Sequence, residues 1–166
     1  MSPEQANVLR SAFMDTTKLE TGCTRKVIRA IPEDGKSYKP DPKSRPADEL
    51  AWHIATTEIW FFDLILAGKP DLTTEQPACP PTIDAILSWY EKNYSDRLDK
   101  LKNLPAEKLA VTVSLGGMDL TAVAYLNFLN VHSAHHRGQL STYLRPMGSK
   151  VPSIYGGSAD EPYQGA

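Results

Sequence analysis

Three of the four histidines of this 166-residue chain fall in one run, "HSAHHRGQL", residues 132–140, and the fourth, His53, stands alone far upstream. Neutral imidazole is a favoured ligand of zinc and similar divalent ions. On a helix, residues four apart share a face and can grip one ion. His132 offers that spacing to His136, and i+3 spacing to His135, so spacing does not choose between them. A helical wheel does. His136 lies about 40° from His132, toward Tyr125, Leu129 and Leu140, while His135 falls to the other side. The wheel therefore turns His132 and His136 into the protein and leaves His135 at the rim. His53 flanks a second apolar stripe of Leu50, Ile54, Thr57, Phe61 and Leu64 and is the natural third imidazole. Three imidazoles on one ion leave a coordination position open, the mark of a catalytic site. Ser133 stands where a zincin carries its general base, which argues against a metalloprotease.

These side chains need long helices to carry them. The chain predicts a helix from about 3 to 30, capped by Ser2, with Leu9, Phe13, Thr16 and Thr17 as its better face and Pro32 as its stop. A proline-rich loop follows. A second helix is expected from about Pro46, with Ser44 as its cap, to Ala67, ended by Gly68 and Pro70. A third runs from about Thr82 to Asn103 on a stripe of Ile83, Ile86, Leu87, Tyr90, Tyr94, Leu98 and Leu101. Val111, Val113 and Leu115 alternate with polar residues before Gly116-Gly117, which signals a short hairpin. The last helix should span about Thr121 to Arg145, followed by an aperiodic tail over 147–166. The fold class is thus all-α, a four-helix bundle in a single domain with a short β-hairpin before the last helix. The connection between the second and third helices, about 14 residues, can extend past 40 Å and cross a helix of about 30 Å. An up-down-down-up order is allowed.

Composition narrows the function. Lys plus Arg number 18 and Asp plus Glu 20, a formal net charge of −2, with no basic stripe for nucleic acid or anionic lipid. The longest apolar run, "IWFFDLILAG", is broken by Asp63 and too short to span a bilayer. The polar start "MSPEQANVLR" has no signal-peptide core. Cys23 and Cys79 are too few and scattered for a disulfide framework, which suits a reducing cytoplasm.

"NVHSAHHRGQLSTYLRPMGSKVPSIYG" closely resembles the last helix and tail of the DinB-like family, bacterial four-helix proteins grouped with YfiT-like metalloenzymes. "ELAWHIATTEIWFFDLILAG" resembles their second helix with its single histidine. The resemblance covers the chain from the first helix to about residue 157. It implies an up-down-down-up bundle and a divalent metal, zinc or nickel, on three histidines that map onto His53, His132 and His136. Relatives include thiol transferases that use bacillithiol and mycothiol-dependent isomerases, and homodimers are common among them. The expected chemistry is activation of water or a low-molecular-weight thiol against a small-molecule electrophile. A non-catalytic metal-binding stress-response scaffold, or a dimeric interaction module, is the other reading. Around the ligands, Gln139 and Tyr125 share roughly their face and could orient a ligand or substrate. His135 could shuttle protons, Thr57 could bond His53, and Arg137 is either solvated or paired with a carboxylate of the bundle. Glu58 points away from His53 on the wheel. Trp52, Trp60 and Trp89 are core or interface residues first, with Trp60 in line to border the mouth.

Overall fold

The structure, a computed structural model, describes residues 1–163; the last three residues of the expected tail lie outside the described residues. Helix α1 spans Pro3–Arg29. The Ser2 side chain accepts from Gln5 N, and the Gln5 side chain accepts from Ser2 N, which satisfies two end donors reciprocally. Its buried face matches the expected one only at Thr17. Thr16 is exposed and Leu9 and Phe13 sit at the margin, while Ala6, Met14, Thr17, Thr21, Thr24, Val27 and Ile28 are buried. Three threonines form the centre of that face, a pattern that a search for apolar periodicity passes over.

Helix α2 spans Ala47–Ala67 and stops at Gly68, whose φ of +69° suits a residue without a Cβ. Ser44 does not cap it. The N-cap position is Pro46, and no side chain bonds the first turn. The preceding loop does that work, because Ala47 N donates to Tyr38 O and Asp48 N to Lys36 O. Helix α3 spans Ile83–Lys102, with Thr82 Oγ1 accepting from Ala85 N. A one-turn helix, α4 (Ala106–Ala110), was not expected; five residues are too few to show a period, and it exists to bury Leu109. Strands β1 (Thr112–Leu115) and β2 (Met118–Thr121) pair antiparallel, Val113 opposite Leu120. Gly116 and Gly117 join them with φ of +56° and +83°, as a type I′ turn needs. Helix α5 spans Ala124–Leu144. It starts later than expected because Thr121 is held in the ladder opposite Thr112.

The long helices close a ring: α1 packs on α5, α5 on α2, α2 on α3, and α3 on α1. Residue pairs give the directions. Trp52–Trp89, Phe62–Tyr94 and Asp63–Arg97 advance together, so α2 and α3 run parallel, as the long connection permits. His53–His136 and Phe61–Phe128 advance oppositely, so α2 and α5 run antiparallel. By length and composition α2 is apolar enough to cross a membrane, and 67% of that stretch is buried inside the protein. Its packing against α3 on one side and α5 on the other accounts for that apolarity.

The connection over residues 68–82 lies along α2 and is pinned twice by tryptophan. Trp52 Nε1 donates to Pro77 O and Trp60 Nε1 to Asp71 O, both at 2.8 Å.

Candidate metal centre

The pairing of α2 with α5 sets His53 against His132 and His136. One ligand atom from each ring lies within 4.8 Å of the others, and all three rings are half-buried. His53 Nε2 and His136 Nε2 are 3.2 Å apart. Two imidazole nitrogens each about 2.1 Å from one ion at a tetrahedral angle lie roughly 3.4 Å apart, so the spacing fits a shared cation.

The far nitrogens are held as well. His136 Nδ1 lies 2.7 Å from Gln139 Oε1 and donates to it, which leaves the Nε2 lone pair free. His53 Nδ1 lies 3.3 Å from Thr57 Oγ1. If Nδ1 donates there too, two lone pairs face each other across the 3.2 Å gap, an arrangement that a cation resolves. The Phe61 ring stands 5.8 Å from that of His132 and walls the site on its apolar side.

Electrostatics keep the rings neutral. Burial pushes the His53 imidazole down to about 4, and the charges of Arg45, His136 and His132 add to the effect in that order. Burial likewise brings His132 to about 4, helped by His136 and then His135. His136 is lowered by burial, against the pull of its bond to Gln139. Neutral imidazole is the form that ligates. Among the described residues no carboxylate joins the cluster, so a bound ion would keep its full charge.

The other expected residues divide. Gln139 and Thr57 bond imidazoles of the triad as described. His135 is exposed, its ring 4.8 Å from that of His136. The Tyr125 hydroxyl is committed elsewhere: it donates to Val113 O at 3.1 Å and Met118 O at 3.3 Å, tying the hairpin to α5. Trp52 is buried and packs edge-on to Trp89, with ring centroids 4.6 Å apart. Thr57 and Trp60 both line a cleft of about 320 Å³, completed by Asp71, Leu72, Thr74 and Gln76.

Behind the histidines, each helix turns a polar side chain inward. Arg137, only 1% exposed, pairs with Glu20 and Tyr155 and donates to Thr24 Oγ1 at 3.1 Å. Of the two readings open for Arg137, the paired one holds. Thr24 Oγ1 in turn donates to Glu58 Oε1 at 3.3 Å, and the Tyr90 hydroxyl donates to Glu58 Oε2. Burial pushes the Glu58 carboxyl up, opposed by Tyr90, Ser133, Arg137 and Thr24. Sequence reasoning missed this network except for the direction of Glu58. A signal was available: an acid inside a helix apolar on nearly every side has to be buried and paired.

A model of the DinB family matches residues 5–165. The uncharacterized protein YjoA of Bacillus subtilis (strain 168) is 27% identical over 152 residues, covering 91% of this chain and 96% of its own. YrdA of the same organism is 24% identical over 154 residues, covering 90% and 89%. The crystal structure of the DinB-like protein YjoA superposes with a TM-score of 0.73 at 26% identity, covering 86% of this chain and 97% of that one. A DinB-like protein from Bacillus cereus shares the fold with a TM-score of 0.75 at 24% identity, over 87% and 97%. With the family model spanning nearly its whole length and three facing histidines that could hold a metal, this chain belongs to the DinB family.

Proposed function

We propose that the protein is a divalent-metal-dependent enzyme, with zinc or nickel held by His53, His132 and His136. Its substrates would be a small-molecule electrophile and either water or a low-molecular-weight thiol. The observation that carries this reading is the convergence of three neutral imidazoles from two helices, with His53 and His136 presenting Nε2 to each other at 3.2 Å. An ion bound there supplies Lewis acidity that lowers the pKa of water toward 7 or deprotonates a thiol. The chain's own residues supply the rest. Thr57 and Gln139 fix the two imidazole planes. Burial holds the imidazoles unprotonated. Phe61 and Phe128 keep water from the apolar side. Beside Thr57, the cleft bordered by Trp60 has room for a small molecule. We place this chemistry in the cytoplasm, where low-molecular-weight thiols stay reduced and Cys23 and Cys79, both free, need no partner. A homodimer is the proposed assembly.

Metal analysis of protein purified without a nickel column tests the site, with His132→Ala and His136→Ala alongside. Stoichiometric metal in the wild type and little in the variants is the expected result. Equal and trivial metal in all three would end the proposal. Metal-loaded protein is then incubated with monochlorobimane and a panel of thiols, and with ester substrates for hydrolysis. Turnover lost in His53→Ala supports the enzyme. Chelation that lowers the melting temperature, with no turnover on any substrate, identifies a structural metal scaffold instead.

A further inference from the structure

The seam between α1 and α5 carries polar side chains where a bundle ordinarily packs apolar ones. On α1 the stripe is Thr17, Thr21 and Thr24; on α5 it is Asn130, Ser133 and Arg137. Arg10–Leu104 and Arg25–Glu91 run α1 antiparallel to α3 and therefore parallel to α5, so that from the Arg137–Thr24 bond the i, i+3/i+4 spacing brings Ser133 level with Thr21 and Asn130 level with Thr17. Thr17 and Thr21 spend their hydroxyl hydrogens on carbonyls of their own helix, Phe13 O at 2.7 Å and Thr17 O at 2.8 Å, and so can only accept. Across from them, Asn130 is 5% exposed and Ser133 1%. Neither atom of the Asn130 amide has a hydrogen-bond partner, and neither has Ser133 Oγ. At the other margin the Tyr94 hydroxyl, on a residue 4% exposed, is equally unpartnered. Polar neighbours lie close by without completing a bond: the Ser133 hydroxyl is near enough to Glu58 to lower its carboxyl, and the Thr21 hydroxyl, then the Glu58 charge, act on Tyr94.

Buried polar atoms are almost always paired, and orphans gathered in one place point to an occupant. Apolar occupants gain nothing from an amide, two hydroxyls and a carboxyl. A cation is disfavoured by the Arg137 guanidinium next to the same carboxyl. Water both donates and accepts, and needs two to four polar partners, which this place offers. We infer that ordered water occupies the interior of the bundle between α1 and α5, hydrogen-bonded to Asn130, Ser133 and Thr21 and reaching Glu58 and Tyr94. This inference does not depend on any metal at the histidines.

A crystal structure of the wild-type protein at atomic resolution tests it, with a second data set from a crystal pressurised with xenon. Full-occupancy water on Asn130 and Ser133, with xenon absent there, is the expected outcome. Direct protein–protein bonds closing the seam without water, or xenon filling a dry void, would overturn the inference. Oxygen-17 magnetic relaxation dispersion gives a solution check. Wild type should show long-lived internal water that falls in Asn130→Leu, and an unchanged signal in a folded Asn130→Leu protein would count against the assignment.

Discussion

His53 Nε2 and His136 Nε2 face each other at 3.2 Å, each ring steadied from behind, one by Thr57 and the other by Gln139. Affinity for zinc should therefore depend on both layers. His136→Ala should lose more than about 100-fold, and Gln139→Leu about 10–100-fold, because outer partners set ligand orientation and basicity. Competition against a chromophoric chelator measures both. Gln139→Leu binding zinc as tightly as wild type would remove Gln139 from the centre.

The lowered imidazoles predict acid sensitivity. His53 and His132 titrate near 4 in the native state against 6.5 ordinarily. Between those values the unfolded chain takes up protons that the native one refuses. The contribution is complete above about pH 6.5 and is lost as pH falls toward 4. Glu58, shifted upward, acts in the opposite sense, since the native state protonates first. Melting temperatures of metal-free protein should fall across this window. The fall should flatten in His53→Ala and steepen in Glu58→Gln. Identical profiles for wild type and His53→Ala would show that the ring titrates normally.

Arg137 is the most deeply committed charge in the molecule. Arg137→Met leaves Glu20 without its cation and bonded only to the Tyr155 hydroxyl; with the Glu20 side chain 15% exposed, the change should cost about 3 kcal/mol, the low end for breaking a buried pair. Tyr155→Phe removes only one partner of that pair and should cost about 1 kcal/mol. Urea titrations give both values. A Tyr155→Phe loss as large as that of Arg137→Met would mean that the tail, rather than the Glu20 carboxylate, holds the guanidinium.

Tyr125 separates a structural role from a functional one. With its hydroxyl bonded to two hairpin carbonyls, Tyr125→Phe should lose about 1 kcal/mol and leave zinc affinity unchanged. A drop in zinc affinity would return Tyr125 to the metal centre.

What could be read from the chain follows the range over which each feature is encoded. Periodic apolar stripes and the Gly116-Gly117 pair act over a few residues, so α2, α3 and the hairpin were legible. The His132–His136 pair was legible for the same reason, since one helix turn fixes it. Of the threonine face of α1 only Thr17 was legible: Thr21 is buried by bonding its own helix, and Thr24 by linking Arg137 to Glu58, partners that only the fold supplies. Ser44 misled because the first-turn donors of α2 are met by Tyr38 and Lys36 in the loop before it. Tyr125 sits on the expected side of α5, but where its hydroxyl ends depends on the hairpin that folds over it. The partner of Arg137 lies 117 residues away, beyond any local signal.

The two indoles that pin residues 68–82 give the protein a built-in optical gauge. Trp52 and Trp60 each donate to a carbonyl of the strap, and Trp60 borders the cleft that begins at Thr57. Anything that lifts the strap or fills that recess changes the surroundings of an intrinsic fluorophore. Occupancy next to the histidines can thus be followed by emission alone, without a label, and Trp60→Phe assigns the signal.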